Sequence, residues 1–334
     1  MDNLQNDYTN IISFTSEKEL AEIYQTKIQP FWLQQVVQGT FEGVEEVSIA
    51  YAYVLHPKSV GELVISSGRI ETLLKYKELI YDLYQQGYSV FIHDHRGQGL
   101  SGRMTENLHM GYVKSFDDYV TDFKLFMQQI VQPNCQHKAN LLCHSMGGTI
   151  GFLTILKYPD LFNKVIFSAP MFGILPALPN WLAKFLLNTH SKITKGLNKQ
   201  YDYFWGQSDY ENTAFAQNNL THNQVRYQLF RDEYERAVET KLGGVTGHWL
   251  QAAVEAMDKI KLQACEFPIP ALVLQAGGDT VVDNKRQSQV VALMPNTELF
   301  VVEGAKHELL EESDEYRTPV LQKILSFISS ENNS

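Results

Sequence analysis

Apolar residues recur along this chain with two different periods, and the two alternate. Short aliphatic and β-branched runs fall at residues 44–55 (VEEVSIAYAYVL), 62–66 (ELVIS), 89–93 (SVFIH), 139–143 and 164–168 (KVIFS), and these lengths suit strands rather than helices. Between them, residues 72–86 carry Leu73, Leu74, Tyr76, Leu79, Ile80 and Leu83 on one broad face. Residues 115–131 repeat Phe116, Tyr119, Val120, Phe123, Met127 and Ile130 at the three-to-four spacing of an amphipathic helix. Strand and helix in turn, with short connections, predict an α/β protein: a mostly parallel sheet with helices on both faces. The rhythm breaks after Met171, and no strand is expected before about Phe267. It resumes with strands at 268–274 and 295–302 and a last helix near 316–328. An interruption between two strands of one sheet is expected to be a mainly helical cap. Residues 1–170 and 268–334 would then form the core, and 171–267 the cap.

One stretch carries chemistry. Residues 141–158 read LLCHSMGGTIGFLTILKY, an apolar strand, a corner at Ser145 and an apolar helix, which is the context of an activated serine. Gly147 and Gly148 let backbone pass close behind the turn. The usual small residue two places before the serine is glycine; here it is Cys143. A serine nucleophile needs a base and an acid to orient that base, and in this strand order they follow it. The run ALVL at 271–274 opens into a loop bearing Asp279, and LFVV at 299–302 opens into a loop bearing His307. All three candidates lie past carboxyl ends of expected strands, where open α/β sheets build their sites. Asp283 is the rival acid. Two N–H donors would serve a developing oxyanion: the backbone of Met146, and that of Arg69 in the Ser67-Gly68-Arg69 loop after ELVIS. The loop 94–101 (DHRGQGLS) follows the SVFIH strand and is expected to be structural, with Asp94 and Arg96 tying its backbone; it lacks the rest of a dinucleotide fingerprint.

Composition narrows the partners. The chain of 334 residues has 28 basic against 38 acidic side chains, a formal −10, with no basic stripe to displace counterions from nucleic acid. Its three cysteines (Cys135, Cys143 and Cys265) have neither metal-site nor disulfide-framework spacing. No metal or organic cofactor is therefore expected. The N-terminal text shows no secretory signal and no stretch nears a membrane span, so a cytoplasmic protein is expected. Leu178, Trp181, Leu182, Phe185 and Leu186 form an apolar stripe in the cap, a candidate for acyl-chain binding or for peripheral contact with the inner face of the cell membrane. Arg226 and Arg231, in cap text that interleaves charge and ring, are candidates for a substrate phosphate.

The pieces SSGRIET, DHRGQGLSGR, HSMGG, LTHNQVRYQLFRDEYERAVETKLGGVTGHWLQAA, AGGDTVVDN and GAKHELLEE resemble α/β-hydrolases of the monoacylglycerol-lipase and lysophospholipase branch, especially bacterial lysophospholipases of the inner membrane. The resemblance runs from about Ser48 to the C-terminus. It implies the α/β-hydrolase fold, Ser145 as nucleophile, His307 as base, Asp279 as its partner, and Met146 and Arg69 as oxyanion donors. It further implies release of fatty acid from single-chain lipids, lysophospholipid or monoacylglycerol, through an acyl-enzyme. Two departures stand: Cys143 at the elbow, and Ser67-Gly68 where His-Gly is commoner. The residues leave open a carboxylesterase for small non-lipid esters, a lipid acyltransferase using the same triad, and a non-catalytic lipid carrier.

Overall fold

The computed structural model describes residues 13–197 and 201–330. Its eight strands form one sheet: β1 (Val37–Glu42), β2 (Ser48–Val54), β3 (Gly61–Ser66), β4 (Tyr88–His93), β5 (Asn140–His144), β6 (Val165–Ser168), β7 (Ala271–Ala276) and β8 (Thr297–Val302). The order across the sheet is β1-β2-β4-β3-β5-β6-β7-β8. β1 and β2 are antiparallel to their neighbours, whereas every pair from β4 to β8 is parallel. Every residue of β4, β5, β6 and β7 is buried, because helices cover both faces; hence the continuous apolar runs in place of alternation.

The helices are α1 (Leu20–Ile23), α2 (Gln29–Gln35), α3 (Lys77–Gln85), α4 (Phe116–Phe126), α5 (Met146–Lys157), α6 (Asn180–Gly196), α7 (Gln224–Arg236), α8 (Gly247–Gln263), α9 (Asn284–Val291) and α10 (Asp314–Ser329). α4 starts where the Ser115 hydroxyl accepts the Asp117 N–H at 3.1 Å, with Asp117 and Asp118 in its first turn, an N-cap and charge placement that offset the exposed donors of a helix start. On one face of the sheet, α4, α5 and α8 pack Phe123, Phe126, Ile150, Phe152 and Met257 into a single cluster with Phe167. On the other, α2, α3 and α10 pack Trp32, Leu79, Leu83, Leu321 and Ile324 over Ile92 and Leu142.

Three differences from the expected pattern have physical causes. β1 is an edge strand with only Phe41 buried, so no apolar run announces it. Within 44–55 the chain first turns, with Glu45 and Glu46 at positive φ, and the strand begins only at Ser48. The last part of 171–267 also packs with the core: α8 buries Trp249, Ala253, Met257 and Ile260 in the same cluster as α4 and α5, while its Trp249 and Leu250 line the cavity beside Ser145. α7 and the stretches 206–213 and 242–245 line that same cavity, and α6 borders the apolar cavity beside it. A segment ahead of the sheet reaches α7 as well. Leu20, Tyr24 and Ile28 pack with Val225 and Leu229, and the Tyr24 hydroxyl donates to Glu233 Oε1 at 3.0 Å. Among the described residues no helix is long and apolar enough to cross a membrane.

Candidate active site

Ser145 sits between β5 and α5 with φ 50° and ψ −117°, a region that side-chain-bearing residues rarely adopt and that marks a constrained turn. Its neighbours explain how the turn persists. A Cβ at Gly147 would lie 2.1 Å from the Ser66 carbonyl oxygen, and one at Gly148 2.7 Å from Pro170 Cβ. The Ser145 N–H donates to the Ser168 carbonyl and its own carbonyl accepts from Gly148 and Met171. Cys143, fully buried in β5, sets its Sγ 2.5 Å from where a Cβ at Gly151 would be. The thiol thus uses space that a glycine at position 143 would have left, and glycine at 151 makes the room.

The loops after β7 and β8 bring the other two candidates in. His307 Nε2 lies 3.0 Å from Ser145 Oγ and its Nδ1 lies 2.7 Å from Asp279 Oδ2. The Asp279 side chain is shut off from solvent, and its Oδ1 accepts the Val281 and Val282 N–H groups at 2.7 and 3.1 Å. Burial alone would raise the Asp279 pKa; the His307 hydrogen bond and charge, then the two backbone donors, outweigh it and hold the group below its ordinary value. Asp283 has a different job: it caps α9, accepting the Arg286 N–H at 3.1 Å. Ser145 and His307 are 9% and 4% exposed, and both open on one cavity of about 530 Å³.

Arg69 and Gly68 line the same cavity. Among the described residues no hydrogen bond occupies the Met146 or Arg69 N–H, so both donors are open at the start of α5 and on the β3 loop. That loop is held from below: the Gly68 N–H donates to Glu71 Oε2, while Gln98 Nε2 donates to the Gly68 and Glu71 carbonyls at 2.7 and 3.1 Å. Asp94 takes the Leu73 and Leu100 N–H groups at 2.6 and 2.7 Å, and Arg96 pairs with Asp122 at 2.6 Å.

Beneath the site lies a cluster that the sequence pattern had not signalled. Lys75 Nζ is 2.5 Å from both Glu71 Oε1 and Glu308 Oε2, with all three side chains buried. His144 Nε2 lies 3.6 and 3.5 Å from the same carboxylates, and its ring centroid is 4.9 Å from that of His307. Ligand atoms of Glu71, His144 and Glu308 lie within 4.8 Å of one another, a spacing a metal ion could use; the Lys75 ammonium sits among them. Burial opposes both charges, but the mutual attraction prevails: Glu71 is lowered to about 2 and Lys75 is raised. The cluster ties the Gly68 loop, through Glu71, to the His307 loop, through Glu308. Two local signals existed, the Glu71–Lys75 spacing of four and the adjacency of Glu308 to His307, but neither marks burial.

The three candidate substrate residues separate. Arg231 lines the catalytic cavity. Arg226 does not: it is 1% exposed, pairs with Glu78 and Asp314 at 2.9 Å each, and donates to the Glu312 and Thr15 carbonyls. It is a strut between α7, α3 and the N-terminal segment, not a substrate contact. Trp181 stands away from both cavities: it is 71% exposed on α6 and lines neither the catalytic cavity nor the apolar one beside it.

A serine on a strained strand–helix corner, a histidine in reach of it and a buried carboxylate on that histidine define, on this sheet, a serine hydrolase of the α/β-hydrolase class. The chain belongs to the family described as serine aminopeptidase, S33, whose profile matches residues 57–314. It is 34% identical to lysophospholipase L2 of Escherichia coli K12 over 329 residues, covering 96% of this chain and 95% of that protein. It is 31% identical to a probable lysophospholipase L2 of Haemophilus influenzae over 305 residues, covering 91% and 95%. Among solved structures, a soluble variant of monoglyceride lipase from Saccharomyces cerevisiae, in complex with a substrate analogue, superposes with a TM-score of 0.65 at 17% identity, over 90% of this chain and 98% of that one.

Proposed function

We propose that this protein releases fatty acid from single-chain lipids, lysophospholipids or monoacylglycerols, through an acyl-enzyme on Ser145. The chain of contacts from Ser145 Oγ through His307 to Asp279, at 3.0 and 2.7 Å, carries this assignment. His307 Nε2 takes the hydroxyl proton as Oγ attacks the ester carbonyl, and Asp279 keeps the Nδ1–H tautomer and steadies the imidazolium. The Met146 and Arg69 N–H groups receive the oxyanion; a donor of this kind typically contributes about 2.7–4 kcal/mol to the transition state. The alcohol leaves with the proton from His307. Water then attacks the acyl-enzyme by the same route, returning the serine.

A long acyl chain is supported by a second, apolar cavity of about 160 Å³ against the first. Ile174 and Leu250 wall both, while Leu178, Leu186, Phe204 and Met257 line the second alone. Small esters would leave that space unfilled. Peripheral membrane contact through α6 is proposed with it, because Trp181 and Phe185 are 71% and 62% exposed beside Lys184, Lys192 and Lys195 with no acidic residue in the helix. Co-sedimentation with anionic vesicles, reduced in a Trp181→Ser/Phe185→Ser variant, tests that contact. The chemistry is tested by fatty-acid release from palmitoyl lysophosphatidylethanolamine and monopalmitoylglycerol. Ser145→Ala should abolish turnover with the melting curve kept, and residual turnover at the native rate would exclude this mechanism.

A further inference from the structure

We infer that Arg231 is an anchor for a phosphodiester, and that it selects, within the single-chain lipids proposed above, those with a phosphate in the head group. The inference rests on that proposal for its substrate and on the following geometry for itself. Arg231 projects from α7 into the cavity that holds Ser145 and His307. Three rings enclose its guanidinium, with Cζ 5.0 Å from the Tyr227 centroid, 5.4 Å from Phe230 and 5.9 Å from Tyr210. The collar is itself fixed, since the Tyr227 hydroxyl donates to the Thr213 carbonyl at 2.7 Å.

The donors of this guanidinium are largely unused. Its Nη1 reaches the Tyr210 hydroxyl at 3.5 Å, the far limit of a hydrogen bond, and its buried Nε has no acceptor. Among the described residues most buried cations have a carboxylate: Lys75 has Glu71 and Glu308, Lys77 has Glu233, Arg96 has Asp122, Arg226 has Glu78, and Arg317 has Asp82, while Lys164 donates to the Phe327 and Ser330 carbonyls. Among the described residues Arg231 has no ion pair. The nearby Glu235 is held by Lys241 at 2.5 Å and by the Tyr210 hydroxyl at 3.3 Å.

A half-buried guanidinium whose buried Nε has no acceptor loses hydration that nothing in the protein replaces, so an anion that completes it is favoured. Ring faces attract the cation from its sides but leave its N–H edge open, and planar donor pairs match two oxygens of a phosphate. Arg69 adds to the field from the oxyanion loop. It donates to the Gly243 carbonyl at 3.0 Å and stacks at 5.5 Å on Trp249, with no carboxylate partner among the described residues. A glycerol head group offers only neutral hydroxyls to Arg231, whereas a phosphodiester next to the scissile ester offers a charge.

The test compares kcat and KM on palmitoyl lysophosphatidylethanolamine and monopalmitoylglycerol in matched micelles, for the native chain, Arg231→Gln and Arg231→Lys. Loss of a charge-assisted hydrogen-bonded contact should lower the phospholipid-to-glyceride ratio of kcat/KM by about 10- to 100-fold in Arg231→Gln, through KM, with Arg231→Lys intermediate. An unchanged ratio in folded Arg231→Gln overturns the inference. If that variant does not melt cooperatively, an unchanged ratio in Arg231→Lys does so instead. Glycerophosphoethanolamine should protect Ser145 from a fluorophosphonate in the native chain and not in Arg231→Gln. Equal protection by inorganic phosphate would make this a free-phosphate site and overturn the lipid assignment. Should the native chain label at Ser145 yet cleave neither lipid, the proposed substrate falls, and the protection experiment still decides whether Arg231 binds the diester.

Discussion

Replacing Lys75 with methionine removes the cation from the most densely charged buried spot next to the catalytic residues. The ammonium is 2.5 Å from each of two carboxylates whose side chains are 5% and 7% exposed. With it gone, Glu71 and Glu308 face one another with carboxylate oxygens within 4.8 Å. At an effective dielectric of about 20 such a pair repels by at least about 3.5 kcal/mol, and breaking a buried ion pair from one side typically costs about 3–5 kcal/mol. The two figures describe the same loss from different sides, so the expected destabilisation at pH 8 is about 3–5 kcal/mol.

Its pH dependence is the sharper test. In the native protein Glu71 is held at about 2, so its stabilising contribution is present above the ordinary carboxyl range and lost only as pH falls through about 2. In Lys75→Met the main charge that lowers Glu71 is gone while burial still raises it, so Glu71 binds a proton more readily folded than unfolded. The penalty should therefore shrink as pH falls from 8 to 5. Equilibrium urea denaturation, followed by tryptophan fluorescence and by circular dichroism together, measures it at pH 8, 6.5 and 5. Turnover should fall too, because Glu71 holds the Gly68 N–H of the oxyanion loop. Adding Glu308→Gln should restore part of the stability at pH 8. A loss below about 1 kcal/mol at pH 8, or one that does not change with pH, would refute the electrostatic account.

Glu311 is 3% exposed and is pushed up to about 8, by burial first and then by Glu78; the native protein should lose stability as pH rises from the ordinary carboxyl range through about 8. Glu311→Gln should remove up to about 1.4 kcal/mol per pH unit of that slope, read from melting temperatures at pH 5, 6.5 and 8.5. Gly151→Ala should cost about 1–3 kcal/mol by driving a methyl into Cys143 Sγ, with Leu141 Cδ2 also close at 3.1 Å, and in a Cys143→Ala background the cost should fall, since only the Leu141 contact remains; additive effects in the double-mutant cycle would count against the contact with Cys143. Asp279→Asn should keep the fold and lower kcat by about 10⁴-fold by favouring the wrong His307 tautomer, with fluorophosphonate labelling of Ser145 slowed in step.

Much of the site was legible because each triad residue ends an apolar run, and a run is a local signal. Ser145 directly follows LLCH, Asp279 comes two glycines after ALVLQA, and His307 comes after LFVV and the four residues EGAK. The choice between Asp279 and Asp283 was not legible in that way; it is made by α9, whose first turn takes Asp283 as its cap. Arg226 and Arg231 lie in one stretch of mixed charge and ring, but five residues of α-helix turn about 140°. They must point to different sides, and nothing in their neighbours says which side faces the cavity. The Lys75 cluster was less visible still. Its members stand at positions 71, 75, 144 and 308, so it exists only after β3, β5 and the β8 loop have been brought together. The edge strand β1 and the N-terminal segment on α7 had the same defect, since neither carries a long apolar stripe.

These unheralded contacts also set apart two helices that border the cavities. α7 is pinned by ions: Arg226 to Glu78 and Asp314, Glu233 to Lys77 at 2.7 Å and to the Tyr24 hydroxyl. Its Phe230 ring lies 5.0 Å above the Lys75 ammonium, so lifting α7 would strip an apolar cover from the charge cluster and break several buried pairs at once. Among the described residues no ion pair holds α6, whose His190 Nε2 meets the Tyr203 carbonyl at 2.8 Å. Its buried residues are Leu187, His190 and Thr194, while Trp181, Phe185 and Ile193 stand in solvent, the signature of an element that opens at low free-energy cost. The apolar cavity borders α6 through Ala183, Leu186 and Leu187, and Arg231 sits on α7. In the proposed function an acyl chain therefore enters on the loosely held side, while its head group is read by the helix that the buried ions keep still.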